Sequence, residues 1–91
     1  MKEYYTKEQL TKELIDDLEE ELEGIILYDK IYNYMIAHGM HSEAKIIERI
    51  AEDEYHHACT IWDMLREMDV DLSEHEKIHS NWECVKKIFD I

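Results

Sequence analysis

The chain has no proline and only two glycines, Gly24 and Gly39, in 91 residues. A turn-rich β-sandwich or barrel needs far more of both, so that scarcity argues against one. Cysteine is nearly as rare. Cys59 and Cys84 form no CxxC pair, so local spacing offers neither a thioredoxin-type dithiol nor half a zinc ribbon. Two free thiols in a reducing compartment are the expectation. No apolar run approaches membrane-spanning length, and Met1–Tyr5 lacks an apolar signal region. Basic residues are also scarce: ten Lys and Arg face 23 Asp and Glu, for a net charge of −13. That balance disfavours nucleic acid and anionic membrane surfaces, both of which bind through Lys and Arg. It favours positive partners, metal cations above all. The expectation is a soluble cytoplasmic protein with no nucleic-acid or membrane partner.

What the sequence does have is helix formers. Glu, Lys, Leu and Ile dominate, and a chain this short makes one domain, residues 1–91. The segment Thr6-Lys7-Glu8-Gln9 reads as a capping box, opening a helix that runs to about Ala37. The turn His38-Gly39-Met40-His41 follows, with Gly39 suited to a left-handed cap. Ser42 is the expected cap of a second helix reaching about Met68. Asp69-Val70-Asp71-Leu72 reads as a connector, and Ser73-Glu74-His75-Glu76 as a second capping box before a short helix ending near Phe89. The fold class is all-α: an antiparallel hairpin of two long helices plus a short third.

Each long helix carries an apolar stripe with polar intruders. The first places Leu14, Leu18, Glu21, Ile25, Tyr28, Tyr32 and Met35 at steps of four and three, widened by Ile15, Leu22 and Ile26. At about 100° per residue, Glu21 lies within the stripe while Glu20 and Glu23 point away. The second helix repeats the pattern with Ile47, Ile50, Glu54, His57, Ile61, Met64 and Met68, widened by Ala51, Ala58 and Leu65. The third shows a clean stripe of Ile78, Trp82, Val85 and Phe89. A carboxylate on an apolar face is costly unless it is paired, protonated or metal-bound.

Hairpin register brings the intruders together. Glu21 precedes Gly39 by 18 residues; Glu54 and His57 follow it by 15 and 18. All three therefore lie at one height on facing helices. Glu54-Tyr55-His56-His57 is an E-x-x-H motif, which sets carboxylate and imidazole one turn apart. Two long helices cannot bury both broad stripes alone, so the expected solution is a homodimer forming a four-helix bundle. Two copies then supply four carboxylates and two imidazoles. Such oxygen-rich donors suit Fe(II) or Mn(II) better than structural zinc.

His56 points off the stripe, and His75 and His79 sit four apart on the third helix, all read as solvated. His38 and His41 read as turn residues, Tyr32 as core, and Glu19, Glu20, Glu52 and Asp53 as an acidic exterior.

The pattern resembles the ferritin-like, rubrerythrin-related superfamily: E-x6-Y from Glu21 to Tyr28, then E-x-x-H from Glu54 to His57. The stretch Glu20-Glu21-Leu22-Glu23-Gly24-Ile25-Ile26-Leu27-Tyr28-Asp29 is particularly similar to half-size encapsulated ferritins. The similarity spans roughly residues 10–90. It implies that Glu21, Glu54 and His57 bind iron as a di-iron centre at a dimer interface, Glu54 bridging and Glu21 terminal, with Tyr28 beside them. It further implies ferroxidase activity, an oxidoreductase reaction in which oxygen or peroxide oxidises Fe(II). Larger rings of dimers and an encapsulating protein shell are the implied partners. The rubredoxin-like cysteine pairs of full rubrerythrin are not in the chain, so peroxide reduction needs an external donor. A metal-binding helical dimer without turnover is the other reading of the same residues.

Overall fold

Thr6 opens the first helix, α1 (Lys7–Ala37), as its side chain dictates. Its hydroxyl accepts the Gln9 backbone N–H at 3.1 Å, and the Gln9 side-chain oxygen accepts the Thr6 N–H at 2.8 Å, a complete capping box. The computed structural model describes residues 6–91, so the reading of Met1–Tyr5 lies outside the described residues. At the far end Gly39 turns left-handed, φ 74°. Met40 N–H reaches back to the Met35 carbonyl at 2.8 Å and Gly39 N–H to that of Ile36 at 3.2 Å. This double closure satisfies carbonyls that a helix end otherwise leaves bare.

The reversal is so tight that α2 (His41–Glu67) starts before the expected cap. Met40 occupies the cap position with no side-chain bond, its carbonyl accepting the Ala44 N–H at 3.0 Å. Ser42 is already inside the helix. The third helix, α3 (Glu76–Phe89), departs from expectation in the other direction. Asp71 captures the Ser73 N–H at 2.9 Å, closing a local turn that competes with the capping box, and the helix begins only after His75. His79 is exposed, as expected, yet its Nε2 donates to the Leu72 carbonyl at 2.9 Å and ties the connector to α3.

Among the described residues there are three helices and no strand. α1 is the central element, packing against both α2 and α3. Leu18, Leu22, Ile25, Leu65, Ile78 and Val85 are fully buried between them. Truncating any of these leucines to alanine typically costs about 2–5 kcal/mol. The α2 and α3 backbones stay apart, and rings fill the gap: Tyr55 stacks on Trp82 with centroids 6.0 Å apart, and Trp62 meets Trp82 at 5.6 Å. The resulting body measures 50 × 32 × 16 Å.

The core sits to one side of the expected stripes. Ile15 and Leu22, on the flank of the α1 stripe, are buried, whereas Tyr28, Tyr32 and Met35 are only half-buried. On α2 the buried residues are Ala44, Ala51, Ala58, Ile61 and Leu65, while His57 and Met64 are exposed. Packing of α3 against α1 draws the core toward itself and leaves the Glu21–His57 edge open.

Candidate metal centre

Glu21 projects from α1, and Glu54 and His57 from α2. One ligand atom of each lies within 4.8 Å of the other two. Among the described residues this is the one group of three such side chains close enough to hold a single cation. The hairpin register thus brings together the three residues it was expected to. His57 Nδ1 stands 3.6 Å from Glu21 Oε2, beyond a hydrogen bond but within ion-pair range if the ring is protonated.

The surroundings are asymmetric. The Glu21 side chain is 16% exposed and that of His57 63%, so the cluster is roofed by protein on one side and open on the other. Gly24, one turn beyond Glu21, lies under Glu54: a Cβ built there would meet Glu54 Oε2 at 3.6 Å.

Measured against protein-family models, curated proteins and solved structures, the chain finds no match. The site is therefore read from its own chemistry.

Each of the three side chains offers a lone-pair donor to the space between them. Glu21 Oε2 is buried without a hydrogen-bond partner, the kind of vacancy that a buried polar atom rarely keeps. Desolvation pushes the Glu21 carboxyl up to about 8, reinforced by hydrogen bonding to Glu54 and by the charges of Glu54, Asp17 and Glu20. Near neutral pH the Glu21 carboxyl therefore keeps a proton, which an entering cation would displace. An orphaned oxygen, a second carboxylate and an imidazole with one nitrogen turned inward make a donor set that suits Fe(II) or Mn(II).

Tyr28 is placed differently from the ligands. It lines a cavity with Asp29, Tyr32, Ile47, Glu48, Ala51, Glu52, Ile88 and Phe89, and it is not a partner of the orphaned Glu21 oxygen. His56 is exposed, as expected from its angular position. The structural use of His79 was not foreseen. Its signal, an imidazole seven residues after the Leu72 carbonyl, has meaning only once the helix start is known.

No helix among the described residues is long and apolar enough to cross a membrane.

Proposed function

We propose that this chain is a ferritin-like di-iron carboxylate protein that binds Fe(II) between two copies of itself and oxidises it with oxygen or peroxide. The observation that carries the reading is the convergence of Glu21, Glu54 and His57, with an unpartnered carboxylate oxygen, on the open edge of the α1–α2 hairpin. Three donors from one chain leave a cation under-coordinated, and a second copy supplies the missing three. The same edge is apolar where it is not ligating. Leu10, Ile46 and Met64 are exposed on the α1 and α2 stripes that carry the ligands. A helical hairpin with such a face is half of a bundle.

In this reading Glu21, Glu54 and His57 hold the metal, and Fe(II) is the substrate. Two Fe(II) ions together supply the two electrons that convert oxygen to hydrogen peroxide, or peroxide to water. The carboxylates balance the charge that builds as iron is oxidised. His57 holds a ring nitrogen toward Glu21, and Glu21 gives up its proton when a cation enters. Tyr28, which the resemblance puts beside the site, is a candidate to order the second carboxylate once the copies meet. Mn(II) fits the same donors.

Anaerobic Fe(II) titration tests the site. Binding is expected with wild type and lost in Glu54→Ala and His57→Ala; equal binding in all three sinks the proposal. Admitting oxygen to the Fe(II)-loaded protein then tests turnover, because iron oxidised no faster than in buffer leaves a sequestering protein instead of a ferroxidase.

A further inference from the structure

Between the metal centre and the Gly39 turn, where α3 ends, the hairpin holds a cavity of about 330 Å³. Three aromatic side chains line it: Tyr28 and Tyr32 from α1, and Phe89 from the last turn of α3. Three carboxylates share the lining, Asp29 from α1 and Glu48 and Glu52 from α2. No Lys or Arg lines the space, and among the described residues none of these carboxylates has an ion-pair partner. The cavity is distinct from the metal centre. Glu48 precedes His57 by nine residues, about 180° around α2, so it faces away from the metal edge. A copy packed on that edge leaves the Glu48 side open.

The wall that α3 contributes is fixed in place. Phe89 meets Tyr55 with ring centroids 4.9 Å apart, and Tyr55 in turn stacks on Trp82. Beyond Phe89 the helix closes tightly: Asp90 turns left-handed, φ 55°, and the Ile91 N–H reaches the Lys86 carbonyl at 3.0 Å. The cavity therefore lies at the C-terminus of α3, the negative end of its dipole. The neighbouring Lys86 is engaged by Glu83 at 2.8 Å. Three separate contributions agree in sign: aromatic rings with negative faces, carboxylates without partners, and the helix end. Each attracts a cation, and the rings also offer apolar surface to an alkyl chain.

We propose that this cavity binds a small organic dication, an aliphatic diamine, with its ammonium groups at the carboxylates and its methylenes against Tyr28, Tyr32 and Phe89. The lining selects that chemistry. An anion is repelled by every charged group around the space. A neutral apolar ligand strips water from three carboxylates and offers them no counter-charge. A bare metal ion gains nothing from apolar walls, and Asp29, Glu48 and Glu52 do not converge on one point as Glu21, Glu54 and His57 do. The distribution of charge sets the number of ammonium groups. Asp29 stands on one helix, and Glu48 and Glu52, one turn apart, stand on the other. Packed helices run roughly 8–10 Å apart, the reach of a short diamine and more than one ammonium spans. A volume of about 330 Å³ is at the small end of ligand sites, which limits the ligand to a short chain. The site stands on these residues alone and does not depend on metal at Glu21, Glu54 and His57.

Isothermal titration calorimetry of the full chain with 1,5-diaminopentane, in excess chelator, tests this. Wild type is expected to bind one equivalent per chain, and Glu48→Gln/Glu52→Gln to bind about tenfold more weakly or worse. Tyr32→Leu removes a ring but keeps an apolar side chain, and should weaken binding about three- to tenfold. Tyr32→Phe keeps the ring and should bind as wild type does. Pentylamine, with one charge, is expected to bind about tenfold less tightly than the diamine. Circular dichroism checks that each variant keeps its helices. Absence of binding by wild type overturns the inference, as does equal binding by Glu48→Gln/Glu52→Gln or by pentylamine. Full binding by Tyr32→Leu, or displacement of the diamine by an equal concentration of Mg(II), reduces the site to a diffuse acidic surface and overturns it too. Anaerobic Fe(II) titration of the same variants reports on the metal centre separately, so failure of one reading is distinguishable from failure of the other.

Discussion

Glu21 carries most of the chemical information in this chain. Burial and the neighbouring Glu54 raise its pKa to about 8 from an ordinary 4.5. The folded state therefore holds a proton that the unfolded state has released, and stability falls as pH rises from about 4.5 through about 8. At pH 7 the penalty is of order 2–3 kcal/mol. Glu21→Gln keeps the shape, removes the titration and supplies an amide donor. In chelator the variant is expected to be more stable than wild type by about 3–4 kcal/mol at pH 8 and indistinguishable from it near pH 4. Urea melts at the two pH values measure this, and a constant difference between them refutes the sign. The same variant should lose metal binding, so a destabilising carboxylate persists where the ligand is needed. The sequence pointed to Glu21 through its angle on the stripe alone. It did not reveal the orphaned oxygen or the exposure of His57, because both depend on how far α3 draws the core aside.

At the scale of the elements, the helix ends divide sharply into legible and illegible. Thr6 and Gln9 form the expected box, and Gly39 takes the expected left-handed turn, since each has one dominant local solution. Ser42 and Ser73 each had a rival: the tight closure on Met35 in one case, the Asp71 carboxylate in the other. Where two local choices differ by a fraction of the worth of one hydrogen bond, tertiary packing decides between them. The end of α2 repeats the Gly39 arrangement with a worse residue. Asp69 is left-handed at φ 58°, and the Val70 N–H closes on the Leu65 carbonyl at 3.0 Å. A side chain in that region is strained, and a negative charge at a helix C-terminus opposes the helix dipole. Asp69→Gly is expected to stabilise by about 0.5–1 kcal/mol, a melting-temperature rise of several degrees. Asp69→Ala removes the charge but keeps the strain, and should gain less. Equal gains from both variants assign the effect to charge alone.

On the scale of the whole molecule, shape and charge pull against each other. With one short third helix the chain leaves Leu10, Ile46 and Met64 of its long hairpin exposed, so it gains by packing that face on another surface. A net charge of −13 resists that packing, most strongly at the metal edge, where Asp17 and Glu20 already press on Glu21. Two kinds of cation should relieve the conflict to different extents. Simple salt screens the repulsion at long range and is expected to raise the melting temperature by a few degrees. Mn(II), a redox-stable stand-in for Fe(II), binds the folded state specifically and adds about 2.7 kcal/mol at a hundredfold excess over its dissociation constant. For a chain of this size that is a further rise of roughly 10–20 °C. Mg(II), which parts reluctantly with its waters, should do no more than salt of equal ionic strength. The discriminating measurement is thermal unfolding with each cation in wild type and in Glu54→Ala. If the Mn(II) increment survives the substitution, or if Mg(II) matches it, the acidic surface is a diffuse counter-ion layer and the three-residue cluster is not its focus. If the increment disappears with Glu54 alone, the fold is one whose stability, assembly and metal loading are a single equilibrium, which the excess of carboxylates holds open until cations arrive.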